Sequence, residues 1–128
     1  MNTLITSGVK ISVTTQFRQD FSSLLNGVFF FNYRVDIFNE NEFDIQLKTR
    51  QWYIFDSLNE ASFVEGEGVV GMTPILKPGE KYSYTSACEL RSEIGFMNGF
   101  YTFENKVDGT LFQVTIPRFK LEFPGKMN

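Results

Sequence analysis

Val28-Phe29-Phe30-Phe31-Asn32-Tyr33-Arg34-Val35-Asp36-Ile37 sets the architecture of this 128-residue chain. Phe29, Phe31, Tyr33, Val35 and Ile37 share one face of an extended segment, and Asn32, Arg34 and Asp36 share the other. Successive strand side chains point to opposite faces, so this period of two predicts a β-strand with one buried face. Apolar Val28 and Phe30 at its start predict a central place in a sandwich. On its C-terminal side Asn39-Glu40-Asn41-Glu42 reads as a polar turn. Phe43, Ile45 and Leu47 then alternate with Asp44, Gln46 and Lys48, and the pattern runs on through Trp52 to Phe55. A strand this long predicts a bulge or bend near Arg50. On its N-terminal side Asn26-Gly27 is a turn dipeptide, because both residues tolerate positive φ.

Further out, Val9, Ile11, Val13, Thr15 and Phe17 alternate with polar residues and predict another half-buried strand. Residues 18–25 read as a loop with a short helical turn. After a turn at residues 56–60 comes a short strand around Phe63 and Val64. Residues 66–78 read as irregular, Pro78-Gly79 as the centre of a type II turn, and Lys81 to Ser86 as a strand. Ala87 to Gly95 reads as a loop. Phe96 to Lys106 and Thr110 to Ile116 flank Asp108-Gly109, a type I′ hairpin signal. Pro117 has no N–H to donate, so the last strand is an edge there or carries a bulge. Phe119 and Leu121 resume the alternation, and the tail beyond Phe123 is expected to fray. The expectation is an all-β, immunoglobulin-like or fibronectin type III-like antiparallel β-sandwich of about seven strands, one domain over 1–128 with its core at about 8–121.

Composition excludes more than it assigns. The chain contains 15 Phe, 5 Tyr, 1 Trp, 1 Cys and no His. Without imidazole there is no Ser-His-Asp or Cys-His machinery and no His-ligated zinc. Cys88 alone can form neither an internal disulfide nor a multi-cysteine metal site. A formal charge of −3 argues against sequence-independent binding to a phosphate backbone. There is no run of the roughly 20 apolar residues of a membrane span, and no signal peptide is evident. One free thiol then suits a reducing cytoplasm.

Gly66-Glu67-Gly68-Val69-Val70-Gly71 is a literal G-x-G-x-x-G. In a dinucleotide fold such glycines open a helix that receives a pyrophosphate. Here Pro74 and Pro78 follow too soon for a helix, and Glu65 and Glu67 bring negative charge. The glycines read instead as positive-φ or close-approach positions in a bent segment, with a loop-amide anion site as the alternative. Ser7-Gly8-Val9-Lys10 matches S-x-x-K, but it enters a strand and has no partner motifs. Glu40, Glu42 and Asp44 could line up for a hard cation, and otherwise form a solvated turn. Cys88 would be a reactive thiol only beside a cation such as Arg91 or Lys81. Arg50-Gln51-Trp52-Tyr53 and Arg118-Phe119-Lys120 interleave basic and aromatic residues, yet the overall acidity speaks against nucleic-acid stacking.

Arg50-Gln51-Trp52, Gly66 to Gly71, Pro74, Pro78-Gly79, Tyr82, Tyr84-Thr85-Ser86, Gly95, Met97, Gly99, Tyr101, Gly109 and Ile116-Pro117-Arg118-Phe119 together resemble the ApaG family, over nearly the whole chain. The resemblance implies a fibronectin-like sandwich. It also implies a bacterial protein of no agreed biochemical role, linked to cobalt resistance and magnesium efflux. In eukaryotic F-box and polymerase-interacting relatives the same domain is regarded as a protein-interaction module. The family's glycine motif has prompted a pyrophosphate- or nucleotide-binding suggestion, carried here by Gly66, Glu67, Gly68, Val69, Val70 and Gly71. Gln51 stands where many members have His, and Ala87 where Gly is frequent. The expected function is therefore non-enzymatic protein binding, with an unidentified protein partner or a homodimer. The expectation includes no catalytic residue, cofactor, metal, nucleic acid or membrane, and the alternative is a polyphosphate binder.

Overall fold

The computed structural model describes residues 2–126. Nine strands follow in order: β1 (Asn2–Thr6), β2 (Val9–Phe17), β3 (Phe29–Asn39), β4 (Ile45–Asp56), β5 (Ser62–Glu67), β6 (Ile75–Leu76), β7 (Lys81–Leu90), β8 (Ile94–Asn105) and β9 (Leu111–Glu122). All pairings are antiparallel. One sheet has the order β1-β2-β3-β7 and the other β5-β4-β8-β9, with β6 adding to β4. This is the two-sheet, fibronectin-like sandwich that the alternating strands predict.

The Phe29–Ile37 stripe does what its period requires. Phe29, Phe31, Tyr33, Val35 and Ile37 are all buried, and β3 sits between β2 and β7. The facing layer supplies Ile45, Leu47, Trp52, Met97, Tyr101, Phe103, Val114, Ile116, Phe119 and Leu121. Side chains from both inner faces thus close one continuous core.

Two strands exceed the expected seven. β1 forms a hairpin with β2 through Ser7-Gly8, both at positive φ (50° and 73°) as a type I′ turn demands. β6 lies within the segment read as irregular. The loop expected over 87–95 is also corrected. Ala87, Cys88 and Glu89 pair with Asn32, Phe31 and Phe30, and only residues 91–93 turn the chain. The alternation was present there, with Cys88 and Leu90 buried about an exposed Glu89, but small polar residues disguised it. The Asp108-Gly109 turn is not type I′ either. Only Gly109 has positive φ (76°), and the Gly109 N–H reaches back to the Asn105 carbonyl (2.8 Å) across a longer loop.

Both irregularities anticipated in the strands are real. In β4 the register shifts between Leu47 and Thr49, so the extra residue is Lys48 rather than one nearer Arg50. In β9, Pro117 coincides with a shift opposite Asn98, on a strand that pairs only with β8. Pro78-Gly79 closes as a type II turn, with Gly79 at φ 81° and the Glu80 N–H donating to Lys77 (3.0 Å). Gln19–Phe21 and Pro124–Lys126 each form one 3₁₀ turn. Phe123 packs on Phe17 and Phe29, so the tail is anchored that far, and residues 127–128 lie outside the described residues.

Candidate functional site

No helix follows Gly71. The chain leaves β5, passes Gly68 at φ 63°, and reverses in a two-residue turn at Val70 and Gly71 (φ 49° and 76°). Reciprocal bonds close that turn, Val69 N–H to Met72 O at 2.8 Å and Met72 N–H to Val69 O at 2.9 Å. The Gly68 N–H is spent on the Lys48 carbonyl, 2.9 Å away. Three amides that could have cradled an anion are therefore bonded to backbone carbonyls.

Each glycine has its own reason. A Cβ at Gly68 would overlap the Met72 carbonyl, and one at Gly66 would lie 2.7 Å from the Arg50 guanidinium, while Gly71 needs only its φ. Arg50 Nη1 donates to the carbonyls of Glu67 (3.0 Å) and Gly68 (2.9 Å). The half-buried guanidinium thus fastens the turn, and no carboxylate among the described residues pairs with it. Tyr33, Tyr84 and Tyr101 stand nearby in the core, with Tyr84 and Tyr101 joined hydroxyl to hydroxyl. Burial pushes all three phenols above their usual range, and the Arg50 charge opposes that rise.

The other candidates disperse. Glu40, Glu42 and Asp44 do not converge: among the described residues no group of three or more acidic or cysteine side chains could hold a metal ion. Ser7-Gly8 is the β1–β2 turn, and Lys10 lies along β2 beside the Phe38 ring. Trp52 and Phe119 are core residues, so of the aromatic residues in the two basic-aromatic runs Tyr53 alone keeps an exposed ring. No helix among the described residues is long and apolar enough to cross a membrane.

Cys88 is buried, and burial, with the Asp56 and Glu89 carboxylates adding to it, pushes its thiol up to about 11. The thiolate is the reactive form. Native protein at pH 8 is therefore expected to resist a disulfide thiol reagent and to react stoichiometrically once denatured. Rapid labelling of the folded protein would refute this.

The structure reveals a surface that the sequence reading missed. On the outer face of the β5-β4-β8-β9 sheet stand Phe63, Tyr53, Phe55, Phe96 and Phe100. Register places Tyr53 beside Phe63 and Asn98, and Phe55 beside Phe96. Phe63, Tyr53 and Phe55 are 49%, 41% and 42% exposed. The Tyr53 and Phe63 rings meet at 4.9 Å, and the Arg118 guanidinium lies 4.1 Å over the Phe96 ring. Phe55, Phe96, Asn98 and Arg118 also line a cleft of about 380 Å³. Gln51 Oε1 and Asn98 Oδ1, on the same face, are buried without a hydrogen-bond partner in the protein. A signal existed: Trp52-Tyr53-Ile54-Phe55 is apolar at both parities, which a strand with one wet face does not require.

The sequence profile of the ApaG domain family matches residues 19–105. Protein ApaG of Shewanella denitrificans is 42% identical over 119 residues, covering 93% of this chain and 94% of the relative. Protein ApaG of Anaeromyxobacter dehalogenans is 41% identical over 128 residues and covers both chains fully. The crystal structure of a Bordetella pertussis protein described as ApaA superposes with a TM-score of 0.87 at 36% identity, covering 91% and 94% of the two chains.

Proposed function

Because this chain belongs to the ApaG domain family, we propose that it is a non-enzymatic β-sandwich that binds protein through its outer aromatic face in the cytoplasm. The observation that carries this is the five-ring patch on one sheet. Aromatic residues on a sheet's solvent side gain little from staying wet, and contiguous exposed apolar surface marks interaction sites. The opposite sheet gives a partial contrast: Thr14, Gln16, Asn32, Arg34, Asp36 and Thr85 line the centre of its outer face, where Phe30 packs on Phe21 at one end and Phe38 lies beneath Lys10 and Lys81 at the other. The family's use as an interaction module in eukaryotic relatives is consistent with this reading, and its link to cobalt and magnesium would then be indirect.

A site-specific photo-crosslinker tests it. Placed at Tyr53 in living cells, it is expected to give discrete adducts, while the same group at Thr14 gives none. Equal labelling at the two positions, or none at either, would refute the reading. Polyphosphate binding at Gly66–Gly71 is the other reading. Its support is Arg50, a half-buried cation without a carboxylate partner, and its weakness is the bonded state of the Gly68, Val69 and Met72 amides.

A further inference from the structure

We propose that the outer aromatic face pairs with the same face of a second copy, about a two-fold axis running parallel to the strands. The proposal rests on the protein-binding reading above and names the occupant. Charge selects it. Across the sheet, β5 at one edge carries Phe63 and Glu65, and β9 at the other carries Arg118, with the other four rings between on β4 and β8. Neither Glu65 nor Arg118 has an ion-pair partner among the described residues.

Two isologous face-to-face arrangements keep the strands roughly aligned. An axis perpendicular to the strands lays β5 on β5 and brings carboxylate toward carboxylate. An axis parallel to them lays the β5 of one copy on the β9 of the other, twice, and brings Glu65 toward Arg118 each time. Along the strands, Glu65 is level with Gln51 and Phe100, and Arg118 with Asn98 and Tyr53. That offset of two strand positions is about 7 Å, which two long side chains span.

Area agrees. Four strands, the longest of 12 residues, make a face about 19 Å wide and about 40 Å long, near the roughly 800 Å² per partner of a standard interface.

The full chain is to be sedimented over 1 μM to 1 mM, alone and as charge-reversed variants. The wild type is expected to dimerise with a constant on the order of 100 μM, weakened at high salt. Arg118→Glu alone and Glu65→Arg alone are each expected to be monomeric, because each places like charges at both contacts. Mixed together they restore opposite charges at both contacts and are expected to form a heterodimer at least tenfold tighter than either homodimer. A wild type monomeric at 1 mM, an unaffected Arg118→Glu dimer, or a mixture that does not associate would each overturn the pairing. Far-UV circular dichroism on each variant separates loss of pairing from loss of fold. Foreign adducts at Tyr53 from a monomeric wild type would overturn the pairing and leave the protein-binding reading standing. A dimer without foreign adducts would confirm the pairing and confine that reading to self-association.

Discussion

Gly68→Val is expected to melt about 15 °C below the parent. Gly68 sits at φ 63°, where an L-residue costs about 1–2 kcal/mol because Cβ crowds the following carbonyl. At this position a Cβ also meets the backbone carbonyl of Met72, which cannot rotate aside. Moving Met72 strains its two bonds with Val69, and moving Gly68 breaks its bond to Lys48. At about 1 kcal/mol for each net bond, the total reaches about 4 kcal/mol. A domain of this size loses about 4 °C per kcal/mol. Val70→Gly is the internal control with the opposite sign. Val70 is β-branched at φ 49° and 63% exposed, so its replacement relieves strain without opening the core. Thermal denaturation of both variants by circular dichroism checks the pair. A Gly68→Val protein as stable as the parent would remove the steric account of the motif.

What the sequence made legible followed from periodicity. The Phe29–Ile37 stripe, the Val9–Phe17 strand and the Pro78-Gly79 turn are each set by local chemistry, and all three appear as read. The glycine motif was legible as backbone conformation for the same reason: Pro74 and Pro78 left no room for a helix. Three features were not legible. Residues 87–90 join β7 because Phe29, Phe30, Phe31 and Asn32 offer them a strand to pair with, and the faint alternation of Cys88 and Leu90 about Glu89 could not show that distant partner. β1 has four exposed residues out of five, so no buried stripe announced it. The outer aromatic face was hidden by its own composition. Fifteen phenylalanines look like material for a core; Trp52–Phe55, apolar at both parities, marked one strand of the face, and the register of β4, β5 and β8 shows which rings the core cannot accommodate.

Trp52→Ala is expected to lower the urea midpoint by about 2 M or more. Trp52 is 3% exposed and meets Tyr33, Tyr101 and Phe119 edge to face, at centroid distances of 5.4, 6.3 and 5.8 Å. Truncating such a residue costs about 3–5 kcal/mol, the lost transfer energy plus the cavity left behind. Each ring contact adds its own geometric component. Against a whole-domain stability of about 5–15 kcal/mol, this brings a marginal protein to the edge of unfolding at 37 °C. Trp52→Phe retains a ring in the same slot and is expected to lose less than half as much. A midpoint within about 0.5 M of the parent for Trp52→Ala would show that the core collapses into the gap. The position itself depends on one irregularity. Leu47 and Trp52 are five residues apart, so a regular strand would turn them to opposite faces, yet both are buried. The extra residue at Lys48 changes the parity, sending Trp52 inward and Tyr53 and Phe55 outward. The same bulge therefore supplies the core its tryptophan and the surface its aromatic face. Deleting Lys48 should cost both at once: stability, through an exposed indole, and pairing, through rings turned into the core.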